Sequence, residues 1–217
     1  MKEQLSQIYE IRFSGIEKYR NDVWKRIIKD YFSNMIPKSG SVLDLGCGYG
    51  EFINNISCAE RHAMDLNRNT TRLLEKGVIF HEQDCSKSWE IKDGSLDLIF
   101  TSNFFEHLPD KSSLSKTIMN ARKSLKPGGQ LIAMGPNISA LNGKYWDFWD
   151  HHLALSDQSL CELLEINNFT IKKSFPKFLP YNMVRVKKRP LFLVSLYLRI
   201  PFLWQLFGKQ FLVIAQK

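Results

Sequence analysis

Residues 171–217 contain no aspartate or glutamate, although they hold 10 of the 30 lysines and arginines of this 217-residue chain. The preceding 170 residues hold 20 basic and 22 acidic side chains, so the formal charge of +8 arises from a nearly neutral body and a tail of +10. That distribution argues against a nucleic-acid field over the whole surface. It suits instead a local patch for a phosphate-bearing ligand or an anionic membrane. The four cysteines, Cys47, Cys58, Cys85 and Cys161, form no C-x-x-C pair and stand apart from any histidine cluster. Neither a zinc knuckle nor a disulfide framework is therefore expected, and the thiols should be reduced. No apolar run reaches the roughly 20 residues that a spanning helix needs. The nearest, Leu191 to Phe207, is interrupted by Arg199 and Pro201. Met1 to Gln7 is polar and does not resemble a secretory leader, so a cytoplasmic location is expected. There is no internal repeat and no low-complexity stretch.

What the sequence does have is regular alternation. Apolar residues at spacings of three and four from Lys2 to Met35 predict two amphipathic helices, which Pro37 and Gly40 end. Six short apolar runs follow: Ser41–Leu45, His62–Leu66, Val78–Glu82, Leu96–Thr101, Gln130–Gly135 and Thr170–Phe175, with a seventh at Gln210–Ala215. Helical patterns lie between them near Glu51–Ile56, Arg68–Lys76, Leu114–Leu125 and Asp157–Asn167, and Lys126-Pro127-Gly128-Gly129 supplies a helix stop and turn. This order predicts an α/β protein with a doubly wound, Rossmann-like, mostly parallel seven-stranded sheet, N-terminal helices and a helical insertion between the last two strands. The division expected is a helical cap at 1–37, a ligand-binding domain at 38–175 with 209–217, and a basic, apolar insertion at 176–208. In the insertion two short amphipathic helices would form a lid or lie on a membrane.

The first turn, LDLGCGYGEF, carries Gly46, Gly48 and Gly50, which let the backbone approach a ligand closely before turning into a helix. The spacing is G-x-G-x-G and not the dinucleotide G-x-G-x-x-G. Asp44, two residues ahead, would be awkward beside a pyrophosphate but suits an ammonium or sulfonium charge. Asp65 ends the second strand, where a carboxylate can accept both ribose hydroxyls, and Asp84 follows the third, where it can accept from an adenine amino group. Each acid alone could be a solvated loop residue; three at adjacent strand tips point to one ligand.

These residues resemble the class I S-adenosylmethionine-dependent methyltransferases, through VLDLGCGYG, MDLN, EQD, LDLIFTSNFFEHLPD and LKPGGQLI in the expected order. The resemblance covers Ser41 to Phe175 and the last strand. It implies S-adenosylmethionine as cofactor, with Asp44, Gly46, Cys47, Gly48 and Gly50 beside the methionine moiety, and Asp65 and Leu66 at the ribose. Asp84 and Cys85 would meet the adenine amino group, and Ser102 and Asn103 would touch the cofactor through the backbone. Arg20 is a further candidate, for the cofactor carboxylate. The N/D-P-P-Y/F signature of base-methylating enzymes is absent and SNFFEHL stands in its place, so a nucleic-acid acceptor is disfavoured.

Methyl transfer is an in-line displacement driven by the cofactor, so the protein must position the acceptor and, for a hydroxyl, remove a proton. His107 after the fourth strand, and Asp150 or His151 in the long loop PNISALNGKYWDFWDHHLALS, are the candidate catalytic residues, against a competing reading in which they only pack or order the loops. No metal site is expected from the consecutive D-H-H, because adjacent side chains rarely converge on one ion. The loop's aromatics suit the apolar face of a sugar. WDFWDHH, FLPY and GKQFLVIAQK resemble methyltransferases associated with bacterial surface polysaccharides. The leading expectation is O-methylation of a sugar or a lipid-linked glycan, with 176–208 touching an anionic membrane surface. Methylation of a quinone or another small metabolite, and a cofactor-binding module without turnover, remain as alternatives.

Overall fold

The computed structural model describes residues 15–181 and 188–217. Seven strands form one sheet: β1 (Ser41–Leu45), β2 (Glu60–Asp65), β3 (Val78–Glu82), β4 (Leu96–Ser102), β5 (Leu125–Pro136), β6 (Thr170–Phe175) and β7 (Gln210–Gln216). Their order is β3-β2-β1-β4-β5-β7-β6, with β7 antiparallel to both neighbours and the other pairings parallel. The expected sheet is thus present. β1 reads as a continuous apolar run because both faces are covered. Leu43 and Leu45 pack with Ile99, Leu131 and Val213 on one face, whereas Val42 packs with Leu98, Phe100, Ile132 and Leu212 on the other. The chain leaves β1 for β2 on one side and reaches β4 on the other, which opens a crevice beyond the carboxyl ends of the strands.

Helix α1 (Glu17–Ile27) runs into one π-helical turn, Ile28–Phe32. It corresponds to the second expected N-terminal helix; the first lies outside the described residues. α2 (Lys111–Ser124) is capped by Asp110, whose side chain accepts from the Ser113 amide at 2.7 Å. α3 (Ile138–Leu141) is a single turn, and α4 (Asp157–Ile166) begins with a Ser156–Ser159 capping box. The insertion forms the two expected short helices, α5 (Phe192–Arg199) and α6 (Pro201–Phe207), separated where Pro201 takes the first helical position of the second. Among the described residues no helix is long and apolar enough to cross a membrane.

Three expectations change. The helix read at Glu51–Ile56 is a 3₁₀ turn, Ile53–Asn55, and that read at Arg68–Lys76 is another, Arg68–Arg72. Asparagines explain the shortening. Asn54 donates to the Leu73 carbonyl at 2.8 Å and accepts from the Glu75 amide at 2.8 Å, joining the two turns, and Asn55 donates to the Glu51 carbonyl at 2.7 Å. Such bonds compete with the helical ladder. Lys126–Gly129, read as a stop and turn before the strand, is absorbed into β5 as a bulge, with Leu125 opposite Leu96 and Gln130 opposite Leu98.

α1 and the insertion form one aromatic layer over the sheet. Tyr31 lies 4.6 Å from Phe178 and 5.7 Å from Trp204, and Phe32 meets Phe100, which stacks on Phe52 at 3.7 Å. Aromatic contacts of this kind contribute about 1 kcal/mol each beyond the area they bury.

On β2 and β3, His62 Nδ1 and His81 Nε2 stand 3.0 Å apart. One ring must be neutral to accept. Burial first, then the charge of His62, holds His81 below the usual histidine range. A lowered histidine contributes stability that is full above its unfolded value near 6.5 and is lost as pH falls through the folded value. Chemical denaturation should accordingly show stability declining between about pH 7 and pH 5. His81→Gln should flatten that decline while costing about 1 kcal/mol at neutral pH. An unchanged slope in the variant would remove this pair as its source.

Candidate functional site

The loop after β1 exists in this form because Gly46, Gly48 and Gly50 adopt φ of 71°, 51° and 75°, where L side chains are strained. The amides of Gly46 and Cys47 donate to the Met64 carbonyl at 2.9 and 3.2 Å, which ties the loop to the end of β2. Asp65 completes the tie: Oδ2 accepts from the Gly48 amide at 2.9 Å and Oδ1 from the Asn67 amide at 2.9 Å. A carboxylate offers about four acceptor positions, so Asp65 can brace the loop and still receive two hydroxyl protons. Leu66 sits between the two braced segments.

Negative charge collects beneath this loop. Asp44 is 4% exposed, and its Oδ2 accepts from the Ile53 amide at 3.3 Å. Burial, reinforced by Glu51 and Asp65, raises its carboxyl to about 8. Burial also raises Asp65 and Glu51, the latter opposed by Arg20, whose Nη2 lies 2.9 Å from Glu51 Oε1. The Arg20 guanidinium lies 5.9 Å from the Tyr49 ring centre, so α1 brings Arg20 to the loop as expected. Beside these residues is a cavity of about 630 Å³ bordered by Asn21, Tyr49, Glu51, Asn67 and Arg72. In linkage, the raised Asp44 favours folding below the ordinary carboxylate range, and that contribution is lost as pH rises through about 8. A cation beside it would reverse the preference by favouring the ionised form.

The remaining cofactor candidates divide. Asp84 turns after β3, and its Oδ1 accepts from the Ser86 amide and hydroxyl at 2.9 and 2.7 Å, so Oδ2 is the atom for an amino group. Cys85 departs from expectation in its side chain. The thiol is buried against α2, receives the Thr117 hydroxyl at 3.3 Å and is pushed up by burial to about 11, while its carbonyl accepts from Trp89 and Asn120. That leaves the Cys85 amide, a donor suited to a ring nitrogen and not to the amino group foreseen. The Cys47 thiol is likewise buried and raised well above its usual value, which leaves its backbone as the part that could meet a ligand. Ser102 ends β4, and Asn103 follows in a left-handed conformation, φ 50°, its amide bound to the Met134 carbonyl at 3.0 Å. Asn103 Oδ1 is buried without a hydrogen-bond partner among the described residues.

Across the crevice, the loop after β4 and the loop after β5 converge. His107 Nδ1 is 2.9 Å from the Asp150 carbonyl and 3.3 Å from Asp150 Oδ2. His151 lies 5.1 Å from the His107 ring, stacks on Phe148 at 5.1 Å and meets the Tyr181 hydroxyl at 3.3 Å. The fully buried Tyr145 donates to the Leu153 carbonyl and accepts from the Leu155 amide, which sets the shape of the loop. All three proposed catalytic side chains therefore meet. The other aromatics do not join them: Trp146 is 50% exposed and Trp149 92% exposed. Sequence reasoning places Glu106 beside His107 but assigns it no role, and it misses Tyr181. Glu106 is 1% exposed, and its carbonyl accepts from the His152 and Leu153 amides at 2.8 and 3.1 Å, joining the two loops. The adjacent E-H pair is its only signal in the sequence. Tyr181 has none, because its neighbourhood is set by the packing of the insertion.

Comparison with known proteins bears on the family and the fold. A family model described as a methyltransferase domain matches residues 16–174. Among curated proteins the chain is 29% identical over 134 residues to an uncharacterized protein of Methanocaldococcus jannaschii, covering 60% of this chain and 55% of that one. It is 27% identical over 101 residues to a ubiquinone biosynthesis O-methyltransferase of Sodalis glossinidius, covering 42% and 39%. The chain thus spans about half or less of the length of these relatives. Among solved structures, a SAM-dependent methyltransferase from Archaeoglobus fulgidus superposes with a TM-score of 0.66 at 22% identity, covering 93% of this chain and 97% of that one.

A Cβ at Gly46 would lie 2.2 Å from Cγ of Phe104, in a backbone conformation that already penalises it. Gly46→Ala should therefore lower stability by about 1–3 kcal/mol in thermal or chemical denaturation. Gly94, at φ 62° with nothing within 4 Å of a Cβ, provides the matched control. Equal effects at the two positions would contradict the packing described.

Proposed function

Because the chain belongs to the methyltransferase-domain family and S-adenosylmethionine is its cofactor, we propose that it is an O-methyltransferase whose acceptor is a hydroxyl of a sugar or lipid-linked glycan. The observation that carries the reading is His107, oriented through Nδ1 by Asp150 at the end of β4, opposite the acid-lined glycine loop. In this reading Asp65 receives the ribose hydroxyls, Asp84 Oδ2 and the Cys85 amide the adenine edge, and Arg20 the cofactor carboxylate. Ser102 and Asn103 border the sulfonium. Asp44 faces the positive end of the ligand. His107 takes the hydroxyl proton as the methyl group moves to oxygen and S-adenosylhomocysteine leaves. Acceptor recognition is assigned to the wall of Phe148, His151 and Tyr181.

The lipid part of the proposal is supported by the insertion. Phe192, Phe202 and Phe207 are 64%, 69% and 57% exposed on α5 and α6, within the segment that lacks acidic residues. An apolar face bordered by lysine and arginine suits the headgroup region of an anionic leaflet. The similarity to a ubiquinone biosynthesis O-methyltransferase favours a second reading, in which the same apolar face receives the chain of a prenylated small molecule.

Two outcomes test the cofactor end. Asp65→Ala should lose S-adenosylmethionine binding by at least tenfold in calorimetry, with the fold retained. Binding to the unaltered protein near pH 7 should release protons, because a cation beside Asp44 lowers a carboxyl that stands at about 8. Titration in two buffers of different ionisation enthalpy measures this release, which Asp44→Asn should remove; proton uptake would contradict the placement.

At the acceptor end, labelled cofactor with lipid-linked sugars in anionic vesicles should give methylated glycan. His107→Asn should lose about 100-fold or more in turnover with cofactor binding intact. Label appearing only in a prenylated quinone-type acceptor would move the assignment to the second reading.

A further inference from the structure

Glu106, His107 and His151 each place one ligand-type atom in a group whose members all lie within 4.8 Å of one another. From this geometry we propose that the three side chains bind one divalent transition-metal ion of the zinc class at the acceptor end of the crevice. The binding stands on the cluster alone; only the ion's role in the reaction rests on the methyltransferase reading. The sequence pattern does not predict a site here, since the consecutive D-H-H hides it. The set is a Glu-His pair from the β4 loop and one histidine from the β5 loop, with Asp150 behind.

The donor set fits the ion. Two histidines and one glutamate are an established ligand set for catalytic zinc, with the fourth position open to water or substrate. Two ligands each about 2.1 Å from a tetrahedral ion stand roughly 3.4 Å apart. Glu106 Oε1 and His107 Nε2 are 3.9 Å apart, so a side-chain adjustment of less than an ångström brings them to bonding geometry. The surroundings hold both rings in place. His107 Nδ1 faces the carbonyl and carboxylate of Asp150, the arrangement in which an outer carboxylate fixes the ring and turns Nε2 to a metal. His151 is held between Phe148 and Tyr145, with Tyr181 at Nε2. Glu106 and His151 are 1% and 6% exposed, so solvent screens an ion there little.

Such an ion would bind the acceptor oxygen at its open position and lower the pKa of that hydroxyl. The proton passes to solvent, the new bond forms between oxygen and the methyl carbon, and the carbon–sulfur bond breaks to leave neutral S-adenosylhomocysteine. With the ion bound, His107 serves as a ligand, and the role of proton acceptor given to it above belongs to the metal-free chain. Of the divalent ions, imidazole with one carboxylate favours zinc, cobalt or nickel over magnesium or calcium.

The full chain, stripped with chelator and carrying Cys58→Ser and Cys161→Ser to remove the partly exposed thiols, is titrated with Co2+ and followed by visible absorption. One Co2+ per chain, displaced by Zn2+, is expected. Glu106→Gln and His151→Ala should each weaken binding by about 100-fold or more, and Asp150→Ala by about 10- to 100-fold. Circular dichroism verifies folding, and His107→Asn, on a partly exposed ring, should show the same loss of binding in a folded chain if either buried variant unfolds. Absence of Co2+ binding, or binding undiminished in the folded variants, overturns the proposal. Calorimetry of S-adenosylmethionine on the stripped protein tests the cofactor reading separately, since that end of the crevice does not need the ion.

Discussion

The carboxylate of Asp65 joins two backbone segments, the glycine loop through Gly48 and the exit of β2 through Asn67. Left-handed glycines allow the loop its path but do not select it, since glycine reaches many conformations equally well. Selection comes from the charge-assisted bonds of Asp65 and from the Met64 carbonyl that accepts from Gly46 and Cys47. The loop is consequently built before any ligand arrives. Its cost is a set of acids out of water, Asp44 above all, each raised by burial. A fold that maintains three such groups at one place spends stability on a site, and only a ligand with positive charge returns it.

The two ends of the crevice follow opposite electrostatic logic. Under the glycine loop the basic partner is Arg20, and the acids are buried with backbone amides as their donors. At the β4 and β5 loops the carboxylates face imidazoles, which can gain, lose or share a positive charge. The first arrangement holds a fixed charge, whereas the second can handle a proton or an ion. A reaction that consumes a sulfonium and releases a proton needs both.

How much of this is legible in the sequence depends on whether a residue's role is local. The strands are legible because parallel strands covered on both faces are apolar throughout, and Asp44, Asp65 and Asp84 are legible because they interrupt or end such runs. Asn54 and Asn55 read as helix because their effect lies in partners far along the chain, Leu73 and Glu75 for the first and Asn21 for the second. Cys85 reads as a ligand contact by its position next to Asp84, yet its thiol packs against Thr117 of α2. A loop residue's backbone and side chain can serve different neighbours, and sequence spacing does not separate them. The part played by Glu106, and Tyr181 altogether, escape the sequence for the converse reason: only the folded chain brings the β4 loop, the β5 loop and the start of the insertion together.

The cover of the site is likewise a product of folding. Tyr19 accepts from the Arg189 amide and donates to its carbonyl, and Tyr31 packs on Phe178 and Trp204, so α1 is fastened to the insertion at both ends. Arg20 lies on that helix, between these two anchors, with its guanidinium on Glu51. Tyr181, at the other edge of the insertion, touches His151. Arg20 and Tyr181 are thus each carried by segments that adjoin this layer, Tyr181 three residues after Phe178 and Arg20 on α1. Because packed aromatic layers shift as units and do not deform continuously, contact between α5–α6 and a membrane or an acceptor would be transmitted to both ends together. On the function proposed above, acceptor capture and cofactor retention would for this reason be mechanically joined.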